Sequence, residues 1–252
     1  MESKKQVDRK KVLKEVQRKQ VEEILLTPII CQKRNKVIFI DNGVIQTNQR
    51  YIRSADEDMS NFAVDFYNIV YGDVIPTKSI LDGKYLTDKN FAGDTINSYR
   101  SIAKLVDFEN CDICIRKMIE EYYNFYHCLA NFWVLPMKIG RQLPPKLNSY
   151  DSLDIFLEKI NSEEKYNNEI GTKYYSYGQE INYNNFKKIH FIQNYREEKD
   201  DGNRYKHKEV EILIKRAKKM IENRALEISN SDKAVDLYLY FCEKKLIKSN
   251  QI

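Results

Sequence analysis

Apolar residues recur at helical spacing through residues 4–26, where Val12, Val16, Ile24 and Leu25, joined by Leu13 and Val21, mark one stripe without a Gly or Pro. The pattern predicts a charged amphipathic helix over residues 1–27, ended by Pro28, because a residue before proline is steered away from helical angles. Between 36 and 47 the pattern becomes β-branched and aromatic on both sides of Asn42-Gly43, a dipeptide that accepts the positive φ angles of a tight hairpin turn. A loop-rich stretch follows from Gly72 to Gly93, and Asp94 is placed to cap a helix through Ile96, Ile102 and Leu105. Asn110 opens the longest predicted internal helix, with Ile115, Met118, Ile119, Tyr122, Tyr126, Leu129 and Trp133 as one apolar stripe and Pro136 as its stop.

Beyond Pro144 and Pro145 a short helix carries Leu153, Phe156 and Ile160, residues 161–203 show weak periodicity, and two helices at 206–227 and 232–248 finish the chain. The sum is a mainly α protein with a small β-hairpin, an α+β arrangement with a helical body. It divides into a basic N-terminal helix over 1–27, a main body over 28–203 with the hairpin at 36–47 and the core helix at 110–135, and a C-terminal helical pair over 204–252.

Charge changes this picture at the two ends. The formal charge is +5, and residues 1–20 account for all of it through basic side chains that include Lys10, Lys11 and Lys14. A second basic excess lies at 204–224 and includes Lys215, Arg216 and Lys219. Such helices can contact phosphate by counterion release, or can simply be solvated faces. No apolar run spans a bilayer and no cleavable leader is visible, so the 5 cysteines are expected as free thiols in a reducing, cytoplasmic setting.

The chemistry-bearing candidates are sparse. Cys111-x-x-Cys114 and His127-Cys128 have zinc-ligand types, but a helix between them would hold the pairs about 20 Å apart, so zinc is not expected. No Walker or dinucleotide glycine loop and no nucleophile elbow is present. The segment Phe125–Pro136 stands out, holding the 1 Trp, one of the 3 His and an amide inside an apolar run. Buried polar groups of this kind need partners, so His127 and Asn131 either bond to loop backbone or belong to a site.

The pattern His127-x-Leu129-x-Asn131-x-x-x-Leu135-Pro136, followed by Asn148-Ser149, Phe156 and Lys159, resembles the C-terminal half of HNH-type nuclease domains of restriction-like and anti-phage proteins. The resemblance implies a divalent metal such as Mg²⁺, His127 and Asn131 as catalytic residues, and Asp73 and Asn148 as metal ligands. It departs from the family at Val74, which stands in Asp73-Val-Ile-Pro76 where a catalytic His is expected. The stretches beginning at Tyr71 and Gly93, with the His127 run, also resemble an uncharacterised bacterial or phage-associated family, which would bring Asp94, Asn97 and His127 to one site. The expectation is a nucleic-acid-directed defence or counter-defence protein with a divergent HNH-like centre, a metal-dependent nuclease if it is an enzyme. The alternative is a non-enzymatic helical interaction module that docks on a protein partner, or on itself, through the N-terminal helix. A membrane is not expected in either case.

Overall fold

The computed structural model describes residues 13–32, 37–48, 57–74, 91–98, 106, 110–136, 153, 157, 161, 182–195 and 207–248. Helix α1 spans Glu15–Leu26, with Gln17 reaching back to accept from the Lys14 amide at 2.9 Å. It ends at Thr27, whose extended backbone leads into Pro28 as the sequence predicts. Strands β1 (Ile29–Gln32), β2 (Phe39–Asp41) and β3 (Val44–Asn48) form a sheet in the order β1-β3-β2. The β2–β3 hairpin turns on Asn42 and Gly43, both at positive φ (48° and 75°), as the Asn-Gly pair requires. Strand β1 adds parallel to β3, aligning Ile29 with Ile45.

Helix α2 (Asn61–Tyr71) lies outside the predicted elements, although Asn61, Asp65 and Asn68 recur at helical spacing as its half-buried polar side, opposite Phe62, Ala63, Val64, Phe66, Tyr67, Val70 and Tyr71, which are all buried. Ser60 starts it by accepting from the Ala63 amide at 3.2 Å. Two expectations are corrected downstream. Asp94 does not cap a helix: it lies in strand β4 (Phe91–Thr95), and its carboxylate accepts from the adjacent Thr95 amide at 2.8 Å. The long helix expected at 110–135 is helical only over α3 (Ile113–Tyr123), where Asp112 accepts from the Cys114 amide. The chain then turns, forms a short 3₁₀ segment at Leu129–Asn131 and enters strand β5 (Phe132–Pro136). Antiparallel pairing with β4 aligns Asp94 with Trp133 and Thr95 with Phe132. Phe132, Trp133, Val134 and Leu135 are all buried, so the strand reads as a continuous apolar run that periodicity alone does not separate from a helix.

Helices α4 (Tyr183–Ile189), α5 (His207–Ser229) and α6 (Ala234–Glu243) complete the described structure, and Leu153, Leu157 and Asn161 have helical conformation. The last two helices match the predicted C-terminal pair to within a few residues. Among the described residues the molecule is therefore mainly α with two small sheets; the mainly α body and the β2–β3 hairpin are as the sequence predicts, and strand β1 and the β4–β5 pair are additions to it. Helix α5 presents Val210, Ile214, Ala217, Ile221, Ala225 and Ile228 inward, and α1 packs Val21, Ile24 and Leu25 against α5 and α6. Residues of all three predicted segments thus share one hydrophobic core. Among the described residues no helix is long and apolar enough to cross a membrane.

Candidate functional site

The polar residues of the Phe125–Pro136 segment find partners within the fold. Asn131 is fully buried; its Nδ2 donates to the carbonyls of Tyr126 (2.8 Å) and Asn97 (3.0 Å), and its Oδ1 accepts from the Asn97 amide at 3.1 Å. The amide therefore fastens the end of β4 to the turn before β5, and both of its N–H groups are used. Tyr122 adds a hydroxyl bond to the same Asn97 carbonyl at 2.9 Å. His127 faces elsewhere: Nδ1 lies 3.1 Å from a Glu57 carboxylate oxygen, and its ring lies 3.8 Å from that of Tyr126. Burial alone would raise the Glu57 carboxyl, but the hydrogen bond and charge of His127, with backbone donors including the Cys31 amide, bring it below its usual range.

Asp73 pairs with Lys233 at the start of α6. The three described residues of the expected metal centre thus have three separate sets of partners, and Asn97 meets Asn131 while His127 does not join them. Among the described residues no group of three or more His, Cys, Asp or Glu side chains is placed to hold a metal. Asn148, Lys10 and Lys11 lie outside the described residues. Lys14 is exposed just before α1; Lys215 and Lys219 share the outer face of α5, where Lys215 is bonded to Glu211 at 2.6 Å, and Arg216 is half-buried.

One basic residue of that helix has a different position. Arg224 continues the inward stripe of α5 and is 1 % exposed. Its guanidinium donates from Nε to the His190 carbonyl (2.8 Å), from Nη1 to the Ala130 carbonyl (2.6 Å) and from Nη2 to the Tyr71 hydroxyl (2.7 Å). None of these acceptors is a carboxylate, so among the described residues the cation is held by dipoles. His190 Nδ1 lies 3.3 Å from the Tyr71 oxygen. Since that oxygen already accepts from Arg224, the consistent assignment has Tyr71 donating its proton to Nδ1 of a neutral imidazole. Burial, then the Arg224 charge, holds the His190 pKa well below the ordinary 6.5. The signal for this hub was present in the sequence: an Arg four residues before Ile228 and three after Ile221 falls on the apolar stripe.

The neighbours of the hub residues line a cleft of about 630 Å³, within the size range of small-molecule sites. Val70, Asp73 and Val74 flank Tyr71, Ile189 and Phe191 flank His190, and Glu227 lies one turn beyond Arg224. Phe191 has φ 55°. The bonds from the Phe191 amide to the Lys188 carbonyl and from the Ile192 amide to the Lys187 carbonyl form a Schellman cap, with Phe191 at the position glycine usually takes. Glu227 then accepts from the amides of Gln193 (3.3 Å) and Asn194 (3.2 Å), holding the turn against α5. Gln193, Asn194 and Lys188 are exposed at this cleft. No protein-family model, curated protein or solved structure matches the chain.

Proposed function

We propose that the protein acts by binding a ligand in the cleft between α2, the α4 turn and the α5–α6 corner, and that the polar residues of the Phe125–Pro136 segment serve the fold. This reading differs from both sequence expectations, the HNH-like nuclease and the interaction module that docks through its N-terminal helix. The observation that carries it is the composition of the cleft. Val70, Val74, Ile189 and Phe191 give it an apolar wall, and its charged groups are the cations Lys188 and Lys233 and the carboxylates Asp73, Glu227 and Asp232, of which Asp73 is paired with Lys233 and Glu227 with backbone amides. A few placed polar groups over an apolar wall is the usual make-up of a small-molecule site. The chemistry suits a small molecule with one anionic group and one flat or apolar part. Thermal unfolding tests the reading directly. A nucleoside monophosphate at about one hundred times its Kd is expected to raise the midpoint by several degrees. Val74→Trp, which fills the cleft, is expected to remove that shift, and an equal shift in wild type and variant would refute the assignment.

One observation favours a second reading, the metal-dependent nuclease. Glu57 takes Nδ1 of His127 and leaves Nε2 to exchange a proton, the arrangement of an oriented general base. The resemblance assigns Mg²⁺ to Asp73 and Asn148, so this reading requires Asp73 to leave its pair with Lys233, and the basic helices would contact phosphate. Mg²⁺-dependent cleavage of DNA or RNA that disappears in His127→Ala would support it. Cleavage unchanged in that variant, or none by the wild-type protein, would count against it.

A further inference from the structure

The Lys233–Asp73 pair is unequal. The Lys233 side chain is only 15 % exposed, whereas Asp73 is 78 % exposed and reaches in from the turn that follows α2. Separating the two would return Asp73 to water, where most of its surface already lies, but would leave the Lys233 ammonium in the cleft with no other carboxylate bonded to it among the described residues. Glu227 is already engaged in holding the α4 turn, accepting from the Gln193 and Asn194 amides. With Asp73 swung out, Lys188 and Lys233 face Glu227 and Asp232 across the cleft, so an incoming anion meets no net negative charge.

We infer that Asp73 is a built-in stand-in for the anion of the ligand, and that the ligand is a phosphate monoester of a nucleoside, bound through Lys233 with its base against Phe191 and Ile189. The inference rests on the cleft being the binding site and adds the regulation of that site by its own carboxylate. A phosphate monoester can exceed a single carboxylate in charge and in acceptor oxygens, so it displaces Asp73 by exchange of one anion for another. Two sources carry this chemistry, a free mononucleotide and the phosphorylated end of a nucleic-acid strand.

Calorimetric titration of the full chain separates the outcomes. The probes are AMP, adenosine, and a short oligothymidylate with and without a 5′-phosphate. Removing the competitor in Asp73→Asn is expected to tighten AMP, or the phosphorylated strand, by roughly three- to fivefold, the worth of a largely exposed ion pair. Lys233→Met is expected to weaken the same probe by more than about tenfold. Lys233→Arg is expected to retain binding, which guards against a folding defect. Adenosine and the 5′-hydroxyl strand should not distinguish wild type from Asp73→Asn. Loss of binding in Lys233→Met without any gain in Asp73→Asn would overturn the stand-in role and leave the cleft as the site. Equal AMP affinity in wild type and Lys233→Met would overturn the anion seat itself, and no binding of either phosphorylated probe by any variant would overturn the whole inference.

Discussion

Arg224 sets the terms at the residue scale. A buried guanidinium without a carboxylate is costly, and it persists here because three backbone carbonyls and a phenol oxygen accept its protons. Arg224→Ala would strand those acceptors in the core, and a loss of about 3–5 kcal/mol in urea unfolding is expected. A loss below about 1 kcal/mol would show that the hub contributes little. His190 gives the hub a pH signature. In the folded protein it remains neutral well below 6.5, whereas in the unfolded chain it protonates near that value. The unfolded state therefore binds the extra proton, and stability falls as the pH drops below about 6.5, by up to about 1.4 kcal/mol per unit. Unfolding free energies measured between pH 7.5 and 5.5 should show this slope, and His190→Gln should lower it. Glu57 acts in a more acidic window: its depressed pKa stabilises the fold above 4.5, and that stability is lost as the pH falls through the folded value.

At the scale of elements, close approach and capping account for what local pattern did not. Gly93 in β4 is a fixed point, because a Cβ there would lie 2.7 Å from the Asp58 carbonyl and 2.9 Å from the Tyr67 hydroxyl. Gly93→Ala is expected to cost at least about 2 kcal/mol through displaced backbone, measurable by thermal unfolding. Phe191→Gly is expected to act in the opposite direction on the α4 cap, because the αL position costs a bulky residue roughly 1 kcal/mol or more. The same substitution removes one wall of the cleft, so any stability gained should come with weaker ligand binding. Elements with a polar face or a turn dipeptide were legible: α1, α5 and α6 from their stripes, and the β2–β3 hairpin from Asn42-Gly43. Strand β5 was not, since burial on every side erases periodicity; α2 keeps a short polar stripe of Asn61, Asp65 and Asn68 within an otherwise apolar segment. In the expected 110–135 helix, Tyr122, Tyr126, Leu129 and Trp133 have helical spacing, yet pairing with β4 and the Asn131 bonds to Asn97 favour a turn and a strand. That Asn131 needed partners could be read from the sequence; that they would be the backbone of Asn97 and Tyr126 depended on tertiary placement.

For the whole molecule, the charge excess of the sequence separates into unlike parts. Arg224 belongs to the core, Lys215 is bonded to Glu211, and Arg18 of α1 donates to Asn230 at 3.1 Å. The buried apolar residues of α1, Val21, Ile24 and Leu25, are likewise spent within the chain, on α5 and α6, whereas Val16 of the predicted stripe is exposed. Deleting residues 1–26 is therefore expected to abolish cooperative unfolding, not to release a folded monomer, because three buried apolar side chains at roughly 1.5–3 kcal/mol each would be lost. The cleft is bordered by residues adjacent in sequence to the Tyr71–Arg224–His190 hub. Amide chemical shifts followed during titration with AMP test the cleft as the binding site most directly. Binding at the cleft predicts changes concentrated at residues 70–74, 188–194 and 227–233; changes concentrated instead around Glu57, His127 and Asn131 would contradict it.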